Sequence, residues 1–320
     1  MSEKCDSPVL ALEHNVIWAF ENATPFAEKR LADAIANGVV GPEIGLNCDC
    51  TTAPPKGPFL HRISSTAVPE MHVSLKHLEL LWSFAYSWMV IYERGIQEPH
   101  IKKTWTGEVD TTDPILRRAM QLRDWAASLR TECTPWPQGF PSPRSYACDI
   151  ERWYGEKANL VFQQAAALLL GHEFAHATGG HLDFLSANTP DTDAIEAEKE
   201  ADASAFASLV EDVDDDAEKL SKAWSILCAL LSSLHLSAEK RVCFVQKRHP
   251  PLHHRISNFM QMLDFKAEQY RYYFPMLICV VLDYELNELA TIPRSVSLYE
   301  DAEDALDDLL GRIERWIESR

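Results

Sequence analysis

Apolar residues recur at helical spacing through most of the chain. Leu220, Trp224, Ile226, Leu227, Leu230, Leu231 and Leu234 predict a helix over 217–236, in which the lone His235 reads as a packing residue. Residues 8–37 predict one or two helices ending near Gly38, and 115–129 another. Met71-His-Val-Ser-Leu75 reads as a short strand feeding an aromatic helix over 76–94. Trp82, Tyr86 and Trp88 within that helix read as core rather than as a platform for substrate. A helix over 156–178, a loop over 179–192 and a helix over 193–211 follow. Helices near 251–270 and 272–290 and an amphipathic one over about 298–318 close the chain. Proline breaks the pattern twice. Pro42, Pro54, Pro55, Pro58 and Pro69 make 38–69 a loop; Pro135, Pro137, Pro141 and Pro143 mark a linker or substrate-facing loop. The expected fold class is therefore mainly α, of α+β type, with one small strand element. A strand beside a reaction centre can hold an extended peptide by backbone pairing, which is the use considered for 71–75.

Composition narrows the class. The chain has 320 residues, 46% of them apolar, enough for a sizeable core in one large domain or two. Its net charge of −18 would repel phosphates and argues against a nucleic-acid partner. The acidic clusters at 211–216 and 300–308 read as solvated faces, with steering of a basic partner as the alternative. The longest apolar stretches, near 78–92, 223–236 and 273–282, are too short or interrupted to cross a bilayer. Met1-Ser-Glu-Lys-Cys-Asp leads into no apolar signal core, so no membrane association and a cytoplasmic location are expected. Eight scattered cysteines are then expected to be free thiols. Cys48-Asp-Cys50 is the one close pair; a second metal or a redox role is the alternative there.

The chemistry is concentrated in three segments. Residues 172–176 read His-Glu-Phe-Ala-His at the end of the apolar run 165–171. Two histidines four apart share one helical face, so His172 and His176 can hold one Zn²⁺, and Glu173 between them is placed as the general base. Two histidines on a solvent face are the bland alternative. A longer zinc-peptidase pattern would put the third ligand at 182, but Leu182 stands there. His181 is one residue early, which gives it a solvent-facing place or a supporting role behind the ligands. The better candidate is Glu198, in an Ala-rich helical stretch where Asp202 shares its face. One carboxylate can bind the metal while Asp202 orients a ligand histidine through its free ring nitrogen. Glu200 falls about 200° from Glu198 around the helix and, with Glu196 and Asp214 to Asp216, reads as solvated.

The third segment is His249-Pro250-Pro251-Leu-His253-His254-Arg255-Ile256. HExxH, then Glu-x-x-Ala-Asp, then His-Pro-x-x-x-x-Arg-Ile, in this order, resembles the gluzincin metallopeptidases of the HtpX and CAAX-prenyl-protease type. The resemblance implies a gluzincin-like zincin core over 149–265, with 1–140 a mostly helical region before it and 266–320 helices packed on it. It implies that Glu198 completes the zinc site, that His249 stabilises the oxyanion, and that Arg255 ties the third motif to the site. The bland alternatives are a helix-entry position for His249 before Pro250 and a surface ion pair for Arg255. Those enzymes are embedded in membranes. A soluble family with similar motifs is the phage-exclusion peptidases named after Lit, and the Trp/Tyr-rich segment 78–93 is similar to theirs.

The leading expectation is an intracellular zinc endopeptidase acting on a protein or peptide substrate, with a part in phage defence. A zinc-stabilised regulatory protein without turnover is a second reading, disfavoured by the intact Glu173, since binding alone needs no base. A repressor-cleaving peptidase of the ImmA-like kind is the third, disfavoured by the His249 motif.

Overall fold

A computed structural model describes residues 6–24, 26–49, 52–64, 67–186, 188–293 and 299–319. After a 3-10 turn at Pro8–Leu12 come α1 (Glu13–Glu21) and α2 (Ala27–Ala36), as the spacing predicts. Next is a three-stranded sheet: β1 (Ile44–Asn47), β2 (Phe59–His61) and β3 (Glu70–Ser74). Its order is β1-β3-β2, with β1 parallel and β2 antiparallel to β3. β1 and β2 fall where a loop is expected. With four and three residues they carry no readable alternation, and only their pairing to β3 defines them.

The expected strand at 71–75 is present as β3. β3 is the central strand, paired with β1 over residues 71–74 and with β2 over residues 70–72.

From β3 the chain enters α3 (Leu75–Tyr92), which is buried almost all round and forms the spine of the core. Trp82, Tyr86 and Trp88 are core residues, as expected. Trp82 stacks on Tyr86 at 5.4 Å and donates its ring N–H to Asn159 at 2.8 Å. A π-helical turn leads to the short α4 (Glu98–Ile101) and then α5 (Pro114–Ser128). α5 starts sharply because Asp113 caps the Ile115 N–H at 2.9 Å and Pro114 fills the first helical position. The proline-rich stretch that follows is irregular, as expected.

α6 (Asp149–Thr178) is a 30-residue rod of about 45 Å. It begins seven residues before the expected 156, because its polar first turn has no apolar period. That turn is fixed instead by Glu151, which accepts the Ala147 N–H at 2.7 Å. After α7 (His181–Phe184) comes α8 (Asp191–Val210), packed along α6. α9 (Asp216–Ser232) is capped by Asp215 on the Glu218 N–H at 2.8 Å. α10 (Val242–Val245), α11 (Leu252–Met262), α12 (Glu268–Glu285) and α13 (Ala302–Glu318) complete the fold.

α11 is shorter than expected. The chain leaves it to bury Phe265 and to tie itself to α9, with Lys219 donating to Asp264 O and the Ala267 N–H to Asp216, each at 2.7 Å. One apolar cluster runs from Val9 to Trp316 and draws on α3, α6, α9, α12 and α13. The fold is thus mainly α with a small sheet. Among the described residues no helix is long and apolar enough to cross a membrane.

One expectation about cysteine fails: Cys48 is disulfide-bonded. The expectation rested on redox compartment, which says nothing of how closely the fold brings two sulfurs. Cys50 lies outside the described residues. Cys148, Cys228 and Cys243 are free thiols.

Candidate metal centre

The last two turns of α6 lie against the middle of α8, and this crossing builds the site. His172 and His176 share a helical face, and their Nε2 atoms lie 3.1 Å apart. Glu198 of α8 spans both, with Oε2 3.3 Å from His172 Nε2 and Oε1 3.4 Å from His176 Nε2. Tetrahedral zinc with bonds near 2.05 Å sets its ligand atoms about 3.3 Å apart, the bond length times 1.63. The two Nε2 atoms are close to that spacing, each has one Glu198 oxygen at a similar distance, and the donor types suit zinc.

The supporting side chains are equally specific. Asp202, one turn beyond Glu198, lies with Oδ1 3.0 Å from His172 Nδ1, in a bent contact. Arg255 grips the other side of that carboxylate, with Nη2 to Oδ1 at 2.6 Å and Nε to Oδ2 at 2.7 Å. Arg255 thus pairs with a buried carboxylate inside the site, not with the acidic surface. His249 brings Nδ1 to 3.0 Å from Glu198 Oε2 while half of its side chain faces solvent. α11 begins only at Leu252, so His249 is not a helix-entry residue.

The electrostatics favour a cation at this point. Burial alone would lower the pKa of His172, but contacts with Asp202 and Glu198 outweigh it and raise the value to about 9. Burial likewise opposes ionisation of Glu198 and Asp202. Histidines around Glu198, and Arg255 with His172 around Asp202, nonetheless hold both carboxyls below their ordinary range. Glu173 behaves differently. Burial raises its pKa against the pull of His172 and His176, the direction that suits a carboxylate meant to take up a proton.

These groups open into one cavity of about 290 Å³. Glu173, Glu198 and His249 line its polar side; Leu168, Phe206 and Leu230 line its apolar side. Gly57 and Pro58, which lead into β2, form part of its rim.

Two further histidines line or support the site: His77 was not assigned from sequence, and His181 was given a solvent-facing place or a supporting role. His77, in the aromatic helix, shares a 2.8 Å hydrogen bond with Ser232, and burial lowers its pKa to about 4, so it is neutral at pH 7. No signal in the chain marks it. His181 is buried rather than solvent-facing, with Nδ1 2.9 Å from His176 Nδ1. Here a signal exists: Gly179-Gly180 at the helix end permits a reversal, and Gly180 is left-handed at φ +71°. Glu200, expected on a solvated face, is exposed but reaches His181 Nε2 at 3.2 Å.

A helix-borne His/Glu cluster beside an acid-base carboxylate, in a cleft with an apolar wall, suits a peptide-cleaving enzyme. Comparison with known families supports that class: residues 71–275 match the family described as Peptidase U49. The match covers more than half of the chain, all three site segments included, and the chain belongs to this family. It is accordingly a peptidase, acting on protein or peptide substrates. No curated protein and no solved structure matches it.

Proposed function

We propose that this peptidase is a zinc metallopeptidase of the gluzincin type, with His172, His176 and Glu198 as ligands. The observation that carries the reading is the convergence of two imidazole nitrogens, 3.1 Å apart, on one carboxylate, whose two oxygens lie 3.3 Å from His172 Nε2 and 3.4 Å from His176 Nε2. A zinc ion held there supplies Lewis acidity to a water and to the scissile carbonyl. Glu173 takes the proton of the attacking water and hands it to the leaving amine; its upward-shifted pKa suits both transfers. His249, half in solvent at the cavity edge, is the donor for the developing oxyanion. Asp202 orients His172, and Arg255 keeps Asp202 charged and in place.

The extended substrate is assigned to the free side of β2 rather than to β3, because Gly57 and Pro58 carry β2 to the cavity rim. The apolar wall of Leu168, Phe206 and Leu230 then receives a side chain beside the cleaved bond. A part in phage exclusion, acting within the cytoplasm, is the biological reading. It rests on the resemblance of the three motifs to the Lit-type peptidases and on the family match.

Metal content and turnover test the reading together. Purified protein is expected to hold about one zinc per chain by elemental analysis. His172→Ala and Glu198→Ala should lose it. Glu173→Gln should keep zinc and fold but abolish cleavage, read by mass spectrometry of lysates expressing each form. An equal zinc content in wild type, His172→Ala and Glu198→Ala would sink the assignment. A zinc-stabilised regulator without turnover would leave lysates of wild type and Glu173→Gln alike.

A further inference from the structure

We infer that His181 is a positioning residue for His176, and that Glu200 holds His181 in the tautomer this task needs. The inference rests on the metal reading above and adds to it two groups that HExxH spacing does not supply. If His176 offers the Nε2 lone pair to a cation, its proton sits on Nδ1. The atom facing that N–H is His181 Nδ1, at 2.9 Å. A second N–H there would leave two donors opposed. His181 must therefore present a lone pair at Nδ1 and carry its own proton on Nε2. That nitrogen lies 3.2 Å from Glu200 Oε2, a group that can only accept. Each link has one donor and one acceptor in a single order, running outward from the cluster: His176, His181, Glu200.

The backbone is built around this placement. A Cβ on Gly179 would lie 2.8 Å from His181 Nε2 and 3.0 Å from Ala175 O, so only glycine lets the ring fold back over the end of α6. Gly180, at φ +71°, makes the reversal. The ring is then fixed edge-on to His176, with centroids 5.0 Å apart, and edge-on to Phe184. His181 is 4% exposed, whereas the Glu200 side chain is 75% exposed. The two ligand histidines are thus supported unequally. His172 leans on an ionised carboxylate locked by Arg255, and His176 on a neutral imidazole whose own support stands in solvent.

Zinc affinity and zinc release to a competing chelator, measured on the full chain, test this. His181→Ala should weaken binding about 10- to 100-fold, the usual consequence of losing a ligand's outer partner. His181→Gln should recover most of the loss, because an amide oxygen can accept the His176 N–H. Glu200→Ala should weaken binding less than His181→Ala, and Glu200→Gln, which keeps an acceptor, should stay near wild type. Gly179→Ala, which displaces the ring without altering it, should copy His181→Ala. If His181→Ala fails to fold by circular dichroism, Gly179→Ala and the two Glu200 variants carry the test. Wild-type affinity in folded His181→Ala, with zinc still lost from His172→Ala, overturns the positioning role alone. Absence of zinc from the wild type overturns the metal reading and this inference with it.

Discussion

Arg255 and Asp202, 53 residues apart in the chain, meet in a two-pronged ion pair whose hydrogen bonds measure 2.6 and 2.7 Å. The pair fastens α11 to α8 directly behind His172. A planar guanidinium matches both carboxylate oxygens at once, which an ammonium cannot do.

Removing one partner should therefore cost more than an exposed ion pair would. Arg255→Ala leaves the Asp202 carboxylate buried and uncompensated, at an expected cost of about 3 kcal/mol in stability. Arg255→Lys keeps the charge but loses the fork, and should fall between wild type and alanine. Urea unfolding of the three proteins checks the order. Equal midpoints would mean that the pair contributes nothing to the fold.

His249 should separate from the ligands in kinetics. His249→Ala is expected to retain zinc and to lower kcat about 10²-fold with little change in KM, because the charge it meets develops only in the transition state. Steady-state kinetics with a cleavable peptide measures this. Loss of zinc instead would make the 3.0 Å contact with Glu198 its real task. Unchanged kcat would remove it from the reaction.

Glu285 does not line the cavity and makes an acid-stability prediction. It is fully buried and meets Arg123 at 2.8 Å, Lys240 at 2.8 Å and His235 at 3.4 Å. Burial alone would raise its pKa, but these neighbours outweigh it and hold the carboxyl below the ordinary range. The folded value is thus depressed relative to an unfolded one of about 4.3. Its stabilisation is complete above that pH and fades as pH falls toward the folded value. Glu285→Gln should be about 3 kcal/mol less stable at pH 7, and its gap from wild type should narrow below about pH 4. Thermal unfolding of both proteins at pH 7, 4 and 3 checks this. A gap that widens on acidification contradicts the sign.

The long helices were legible because apolar and alanine-rich runs of several turns, bounded by proline and glycine, are hard to mistake. His172, Glu173, His176, Glu198, Asp202, His249 and Arg255 were legible as candidates through motif spacing, and the structure gathers them together, all but His176 lining one cavity and His176 lying against Glu198. What spacing could not give is the path of the connections. β1 and β2 are invisible until β3 pairs with them. The early end of α11 depends on Asp216 and Lys219, about 50 and 45 residues away. His181 was displaced from the ligand set by one residue of register. Its real neighbours follow from a left-handed Gly180, which no periodicity encodes.

The sheet has a consequence beyond the site. Its two edges are β1, with four residues, and β2, with three. Short edges give a second copy of the chain little to template on, which guards against strand-on-strand aggregation. The same brevity constrains a guest held at β2: few main-chain groups are on offer there, and main-chain pairing is blind to sequence. Discrimination among guests must then come from side chains entering the cavity, so this small sheet trades grip for selectivity.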